Sequence, residues 1–175
     1  DVYGSCINPH PCANGFDLGI IVQGSSKSTE ADFDKIKIAL SEMVGRLTVN
    51  PDQVHVASLF NSQILRVYTS LKIKDQSNSR RTINKINEMP YVPYVSSSLA
   101  KALYKASNEI FSTYRTGTIV PRVALIFNDA KTNPKEELLT EAQRLKNMDV
   151  EVFVVGIGNN VDPKDPPMTA SQVHA

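Results

Sequence analysis

Short apolar runs alternate along the chain with longer segments in which apolar residues recur every three or four positions. The short runs are rich in Val, Ile, Leu and Phe and fit strands, whereas the longer segments fit amphipathic helices. The predicted strands are residues 17–22, 53–60, 64–70, 122–127 and 150–157. The predicted helices are residues 29–47, 78–89, 99–110 and 138–145.

The order of these elements predicts the fold class. Strands that carry almost no polar residue favour a parallel sheet covered by helices on both faces. Residues 53–60 and 64–70 are separated by only three polar residues, which indicates a hairpin and hence one antiparallel edge strand. We therefore expect a doubly wound, mostly parallel α/β sheet of the Rossmann-like kind, within one domain of 175 residues.

The two ends of the chain differ in composition from the middle. Residues 1–15 are rich in Pro, Asn and Gly and contain both cysteines, Cys6 and Cys12. Two prolines between them favour a turn that could close a small disulfide loop, which would indicate an oxidising compartment; two separate thiols are the alternative. We expect the folded domain to span residues 16–175, and the sequence leaves open whether it is truncated at its C-terminal end.

The charge balance excludes some partners. Lys and Arg number 19 against 18 Asp and Glu, so the net charge of +1 gives no case for a nucleic acid. The longest apolar run is far too short to span a membrane, so we expect no membrane insertion.

Three polar loops follow buried strands or precede a helix, at residues 23–28, 93–98 and 128–134. In open α/β sheets, ligands bind outside the carboxyl ends of the strands, where the strand order reverses. These loops are therefore the candidate ligand site. Tyr91 and Tyr94 lie in or beside the second loop and Tyr104 lies just after it; they are candidates for partner contact, although packing onto the domain is the simpler interpretation.

At these loops the chain resembles the von Willebrand factor A-type domain family, from about residue 16 to residue 157. The family has Asp-x-Ser-x-Ser after its first strand, where this chain has Gln23, Ser25 and Lys27 at the three key positions. A coordinating Thr of the second loop aligns with Ser97. The Asp of a Thr-Asp-Gly motif aligns with Asp129 in an Asn-Asp-Ala sequence.

The resemblance implies one Mg²⁺ or Mn²⁺ held by these positions, but two of the five depart from the family pattern. Gln23 removes a carboxylate and Lys27 adds a cation, which together oppose binding of a divalent ion. We therefore expect no cofactor at this site. The alternative is weak Mg²⁺ or Mn²⁺ binding by Ser25, Ser97 and Asp129.

The resemblance also implies function. It predicts a secreted module for adhesion or matrix assembly, with an extracellular matrix protein such as collagen as the first expected partner. The runner-up is a weakly metal-dependent adhesion receptor domain. An enzyme is the least favoured class, because the Gly-x-x-Lys-Ser stretch at residues 24–28 does not match a nucleotide-binding loop and His55 lies within a predicted strand.

Overall fold

The computed structural model describes residues 15–26, 28–92, 98–113, 115, 119–128 and 135–157. The predictions for the Cys6–Cys12 pair and for the chain after residue 157 fall outside these residues. Among the described residues, no helix has the length and apolar character that a membrane span requires.

The described strands form one five-stranded sheet in the order β3-β2-β1-β4-β5. Strands β1, β2, β4 and β5 are parallel, whereas β3 pairs antiparallel with β2 at the edge, as the hairpin pattern predicted. The fold class is thereby confirmed. The strands are β1 (Asp17–Gln23), β2 (His55–Asn61), β3 (Leu65–Thr69), β4 (Arg122–Asn128) and β5 (Val150–Gly156).

Four α-helices surround the sheet in the described part of the chain: α1 (Glu30–Gly45), α2 (Ser79–Asn87), α3 (Leu99–Lys105) and α4 (Lys135–Asn147). Helix α1 begins with a capping box, in which Asp32 N donates to Thr29 Oγ1 at 3.2 Å and Thr29 N donates to the Asp32 carboxylate at 3.4 Å. Hydrogen bonds from Thr29 and Lys35 hold the pKa of Asp32 below its ordinary value. The spacing of Thr29 and Asp32, three positions apart at the start of the apolar repeat, is that of a capping box.

Successive residues of each strand face opposite sides of the sheet, so the core has two halves. On one side, Leu18, Ile20 and Val22 of β1 pack with α1 and α2. On the other side, Ile21 packs with α3 and α4. Both sides of the sheet are therefore covered by helices, as the apolar strands required.

The helix predicted over residues 99–110 changes its hydrogen bonding halfway. After α3 the turn widens into a π-helical segment, Ala106–Ile110, in which Phe111 N donates to Ala106 O at 2.9 Å. Apolar spacing over five residues does not distinguish this ladder from an α-helical one. The wide turn places the Phe111 ring directly over Gly19, where a Cβ on the glycine would lie 2.5 Å from the ring.

Buried and partly buried polar side chains hold the amino end of the sheet, opposite the predicted ligand loops. Arg115 donates to the Asp17 carboxylate at 2.6 and 2.8 Å. The His55 ring is buried, with its two nitrogens 2.9 and 3.0 Å from the carbonyl oxygens of Leu71 and Pro51. Arg122 donates to Met148 O just beyond the C-terminus of α4, where a cation is favourable.

The side chain of Gln76 extends the sheet where β3 stops pairing with β2. Its amide oxygen accepts from Val56 N at 2.7 Å, and its amide nitrogen donates to Val56 O at 3.1 Å and Ser70 O at 2.5 Å. Gln76 is fully buried. It thus satisfies backbone groups of β2 that would otherwise be buried without a partner.

Candidate functional site

Three neighbouring parallel strands each end in a buried amide side chain. Gln23 ends β1, Asn61 ends β2 and Asn128 ends β4, and their exposed fractions are 2%, 3% and 6%. Gln23 and Asn61 are partners in the β1–β2 register, and the pair Val22–Phe127 directly precedes Gln23 and Asn128. We call these three residues the amide row.

All three amides lie on the same face of the sheet. In β1, β2 and β4 the positions two residues earlier, Ile21, Leu59 and Ile126, belong to the core half under α3 and α4. Alternation along a strand therefore places the amide row on that face as well. The row lies at the carboxyl edge of the sheet, beside the N-terminus of α3.

The first loop at this edge is held close to the sheet. Gly24 N donates to Asn61 O at 2.9 Å, and a Cβ on Gly24 would lie 3.0 Å from the Phe60 ring, so the backbone passes close to that ring. Ser25 is buried beside it. Tyr91 donates its hydroxyl hydrogen to Ser28 O at 2.8 Å, which fixes the far end of the loop.

The edges of the second loop are held by β2. Asn61 Nδ2 donates to Ser98 O at 3.1 Å, and Ser62 Oγ donates to Val92 O. Ser98 also caps α3, since its side chain accepts from Lys101 N at 3.4 Å. One member of the amide row thus positions the start of the helix that borders the site.

The structure places two of the predicted site residues together, since Gln23 and Ser25 both lie buried at the carboxyl edge. Lys27, Ser97 and Asp129 fall outside the described residues. Asn61 was missed by sequence reasoning, because it follows an apolar run that was expected to form a hairpin and no motif marks it. Only the parallel pairing of β1 with β2 shows that it lies beside Gln23.

The residues described at this edge do not by themselves fit a divalent cation. They offer neutral amide and hydroxyl oxygens, whereas Mg²⁺ is normally held with one or two carboxylates. Within the described ranges there is no cluster of three or more His, Cys, Asp or Glu residues that could hold a metal. The only carboxylate of the predicted set is Asp129.

Tyr91 packs onto the domain, as the simpler interpretation of the tyrosines proposed. Its ring is 6.1 Å from that of Phe33, in addition to the bond to Ser28. Tyr104 instead lies on α3 and is half exposed, with the Arg144 guanidinium 5.1 Å from its ring centre. Tyr94 lies outside the described residues.

Replacing Tyr91 with phenylalanine is expected to loosen the first loop without unfolding the domain. The ring would stay packed on Phe33, but Ser28 O would lose its donor, at a cost of about 1 kcal/mol. Amide hydrogen exchange should rise in residues 24–29 and stay unchanged in β4. The matched change Tyr104→Phe should leave both segments unchanged; equal effects of the two variants would contradict this role for Tyr91.

The chain has relatives among extracellular matrix proteins. It is 22% identical over 143 residues to chicken matrilin-3, covering 81% of this chain and 31% of that protein. It is 27% identical over 147 residues to the mouse collagen alpha-4(VI) chain, covering 83% of this chain and 6% of that protein. The chain thus spans about a third or less of the length of these two relatives.

Solved structures share the fold. Proximal thread matrix protein 1 from the mussel byssus superposes with a TM-score of 0.78 at 19% identity, covering 92% of this chain and 40% of that one. Its structure with a zinc-occupied MIDAS motif gives 0.74 at 19% identity, covering 85% and 37%. The family model described as von Willebrand factor type A domain matches residues 17–172. The chain therefore belongs to the von Willebrand factor type A domain family.

Proposed function

We propose that the chain is an extracellular protein-binding module for adhesion or matrix assembly, and that it is not an enzyme. The relatives support the class, because matrilin-3 and the collagen alpha-4(VI) chain are matrix proteins by name. A collagen-like or other matrix glycoprotein is the partner we propose first. His55, the one histidine among the described residues, is buried at the end of the sheet opposite this edge, which supports a binding function over catalysis.

The observation that carries the mechanism is the amide row. Each amide side chain can both donate and accept hydrogen bonds, and none carries a charge. Gln23, Asn61 and Asn128 therefore provide a neutral polar edge, which supplies none of the one or two carboxylates that normally hold Mg²⁺. We propose that partner binding at this edge depends on direct side-chain contacts and has lost, or retains only weakly, the dependence on a metal.

Partner binding tests this directly. Binding of the 175-residue chain to immobilised collagens and matrix glycoproteins would be measured in millimolar Mg²⁺ and Mn²⁺, and again in excess EDTA. We expect binding that changes less than about twofold on chelation. Loss of binding on chelation, restored by added Mg²⁺, Mn²⁺ or Zn²⁺, would instead support the weakly metal-dependent receptor, an alternative favoured by the zinc-occupied neighbour structure.

Restoring the missing groups should create a metal site. The double variant Gln23→Asp, Lys27→Ser regains a carboxylate and removes a cation, a local charge change that favours a dication. Isothermal titration calorimetry with Mn²⁺ should show at least about tenfold tighter binding than the unchanged chain. The control Gln63→Asp, Lys35→Ser makes the same exchanges at exposed positions and should gain nothing. Sub-millimolar Mn²⁺ affinity in the unchanged chain would refute the proposal.

A further inference from the structure

Positive charge is concentrated in one short stretch of this nearly neutral chain. Residues 64–85 contain six basic residues and a single acidic one, Asp75, although the whole chain has a net charge of only +1. The basic residues are Arg66, Lys72, Lys74, Arg80, Arg81 and Lys85. The other residues hold 13 basic and 17 acidic side chains, so this one stretch carries more than the whole net positive charge of the chain.

The fold brings this stretch onto one surface. Arg81 reaches back to the Asp75 carboxylate at 3.3 Å, which joins the first turn of α2 to the 3₁₀ turn Ile73–Asp75 that follows β3. Ser79 Oγ donates to Leu47 O at 2.9 Å, which places the start of α2 beside the end of α1. Arg46 lies immediately before Leu47, so a seventh cation joins the group.

The edge strand adds a cation on the same face of the sheet, near the other end of β3. Tyr68 packs in the core half that includes Ile83 of α2, so residues of β3 in register with Tyr68 face that helix. Arg66 is one of these residues, is exposed, and its guanidinium lies 5.1 Å from the Tyr68 ring centre. We call the exposed cations of this surface the basic strip. Its members are Arg46, Arg66, Lys72, Lys74, Arg80 and Arg81.

The positions of the cations in the basic strip do not stabilise the fold. The first turn of α2 has no acidic residue and carries Arg80 and Arg81, although the positive end of the helix dipole disfavours cations there. Arg81 is offset by Asp75. Burial works against the Asp75 charge, but bonds from Ser70, with Arg81 and Lys74 nearby, keep the pKa of Asp75 below its ordinary value.

Asp75 is the single acidic residue of residues 64–85, so it cannot offset all the other members of the strip. Within the described ranges, Lys72, Lys74 and Arg80 are exposed and form no ion pair, and the same is true of Arg46 and Arg66. Five like charges on one surface repel one another and cost stability. An unfavourable arrangement of this kind is expected where the charges bind something.

We propose that the basic strip binds a sulfated polysaccharide. The planar guanidinium of arginine can donate two hydrogen bonds to two oxygens of one sulfate group, as it does to phosphate. Lysine supplies a point charge on a flexible side chain. Protein interfaces usually have an apolar centre with few charges, whereas the described residues of this stretch expose only two large apolar side chains, Ile64 before β3 and Ile73 after it. The strip lies on the opposite face of the sheet from the amide row, and its proposed ligand does not depend on the proposed function of that row.

Heparin binding of the full 175-residue chain is the test. The triple variant Lys72→Ala, Lys74→Ala, Arg80→Ala should bind heparin at least about tenfold more weakly at about 0.15 M salt. With three cations fewer, binding releases fewer counterions from the polysaccharide. The slope of log affinity against log salt should become shallower by about 1 for each cation removed. Circular dichroism and the Tm should confirm that the variant is folded.

Matched variants and ligands decide the outcome. Lys35→Ala, Lys101→Ala, Lys105→Ala removes the same charge from α1 and α3 and should keep heparin affinity within about twofold of the unchanged chain. Desulfated heparin should bind weakly. The proposal is overturned if this control loses affinity as much as the strip variant, if desulfation has no effect, or if an acidic protein such as a polyglutamate chain binds the strip more tightly than heparin.

Discussion

Replacing Gly19 with alanine is expected to lower the free energy of unfolding by about 3 kcal/mol, because the new methyl group has no room. Its Cβ would lie 2.5 and 2.9 Å from two carbons of the Phe111 ring. The ring is fully buried, and the Phe111 carbonyl accepts a hydrogen bond from Arg122, so the ring cannot move away at little cost. Either β1 or the π-helical segment must shift. Urea denaturation monitored by circular dichroism measures the loss.

Gly45→Ala is the matched control for Gly19→Ala. Gly45 is the last residue of α1, and an added Cβ would meet its nearest neighbour, Ile83 Cδ1, at 3.9 Å, an ordinary contact. Alanine there should stabilise the protein by about 0.5 kcal/mol through its better helix propensity. The double variant Gly19→Ala, Phe111→Leu replaces the ring with a smaller side chain, so it should recover part of the lost free energy of unfolding. If Gly19→Ala proves as stable as Gly45→Ala, the packing of Phe111 on β1 is wrong.

Replacing Gln76 with glutamate is expected to be still more damaging, at about 4 kcal/mol at neutral pH. The change is nearly isosteric, but a carboxylate has no hydrogen to donate to Val56 O or Ser70 O. It would also place a negative charge, fully buried, against two carbonyl oxygens. The deficit should shrink on acidification, because a protonated carboxyl group regains one donor.

Two companion variants separate the lost hydrogen bonds from the buried charge. Gln76→Leu should cost about 2 to 3 kcal/mol, since it leaves the Val56 backbone groups unpaired but adds no charge. Gln63→Glu, at an exposed position between β2 and β3, should change the free energy of unfolding by less than about 0.5 kcal/mol. A Gln76→Glu variant that loses less than 1 kcal/mol at pH 7 would show that Gln76 does not cap the edge of β2.

The local elements could be predicted because their signals are local. The apolar run at residues 17–22 is continuous because β1 is central and covered on both faces, and the run ends where the strand ends, at Gln23. Thr29 and Asp32 mark the start of α1 because the capping bonds join residues three positions apart. Other strand and helix ends differ from the prediction by up to three residues, except that α3 ends at Lys105, where the π-helical segment begins.

The candidate site was predictable only in part. Gln23 and Ser25 could be named as candidates because a family pattern marks the loop after the first strand. Asn61 could not be found in this way, since its position beside Gln23 depends on which strand pairs with β1. Gln76 was missed for a similar reason. Its three hydrogen bonds join it to Val56 and Ser70, and no periodic pattern predicts a side chain that takes the place of strand hydrogen bonds.

The sequence by itself determined the alternation of strands and helices, the antiparallel hairpin, the helix cap and the neutral or basic residues at the first loop. Each of these depends on residue type and on spacing within a few positions. Only the tertiary structure decided the strand order, the amide row and the π-helical turn that places Phe111 over Gly19. It also decided that the end of α1, with Arg46, lies beside the start of α2, with Arg80. These features depend on which distant segments pack together, and that choice is made by burial of the two core halves as a whole.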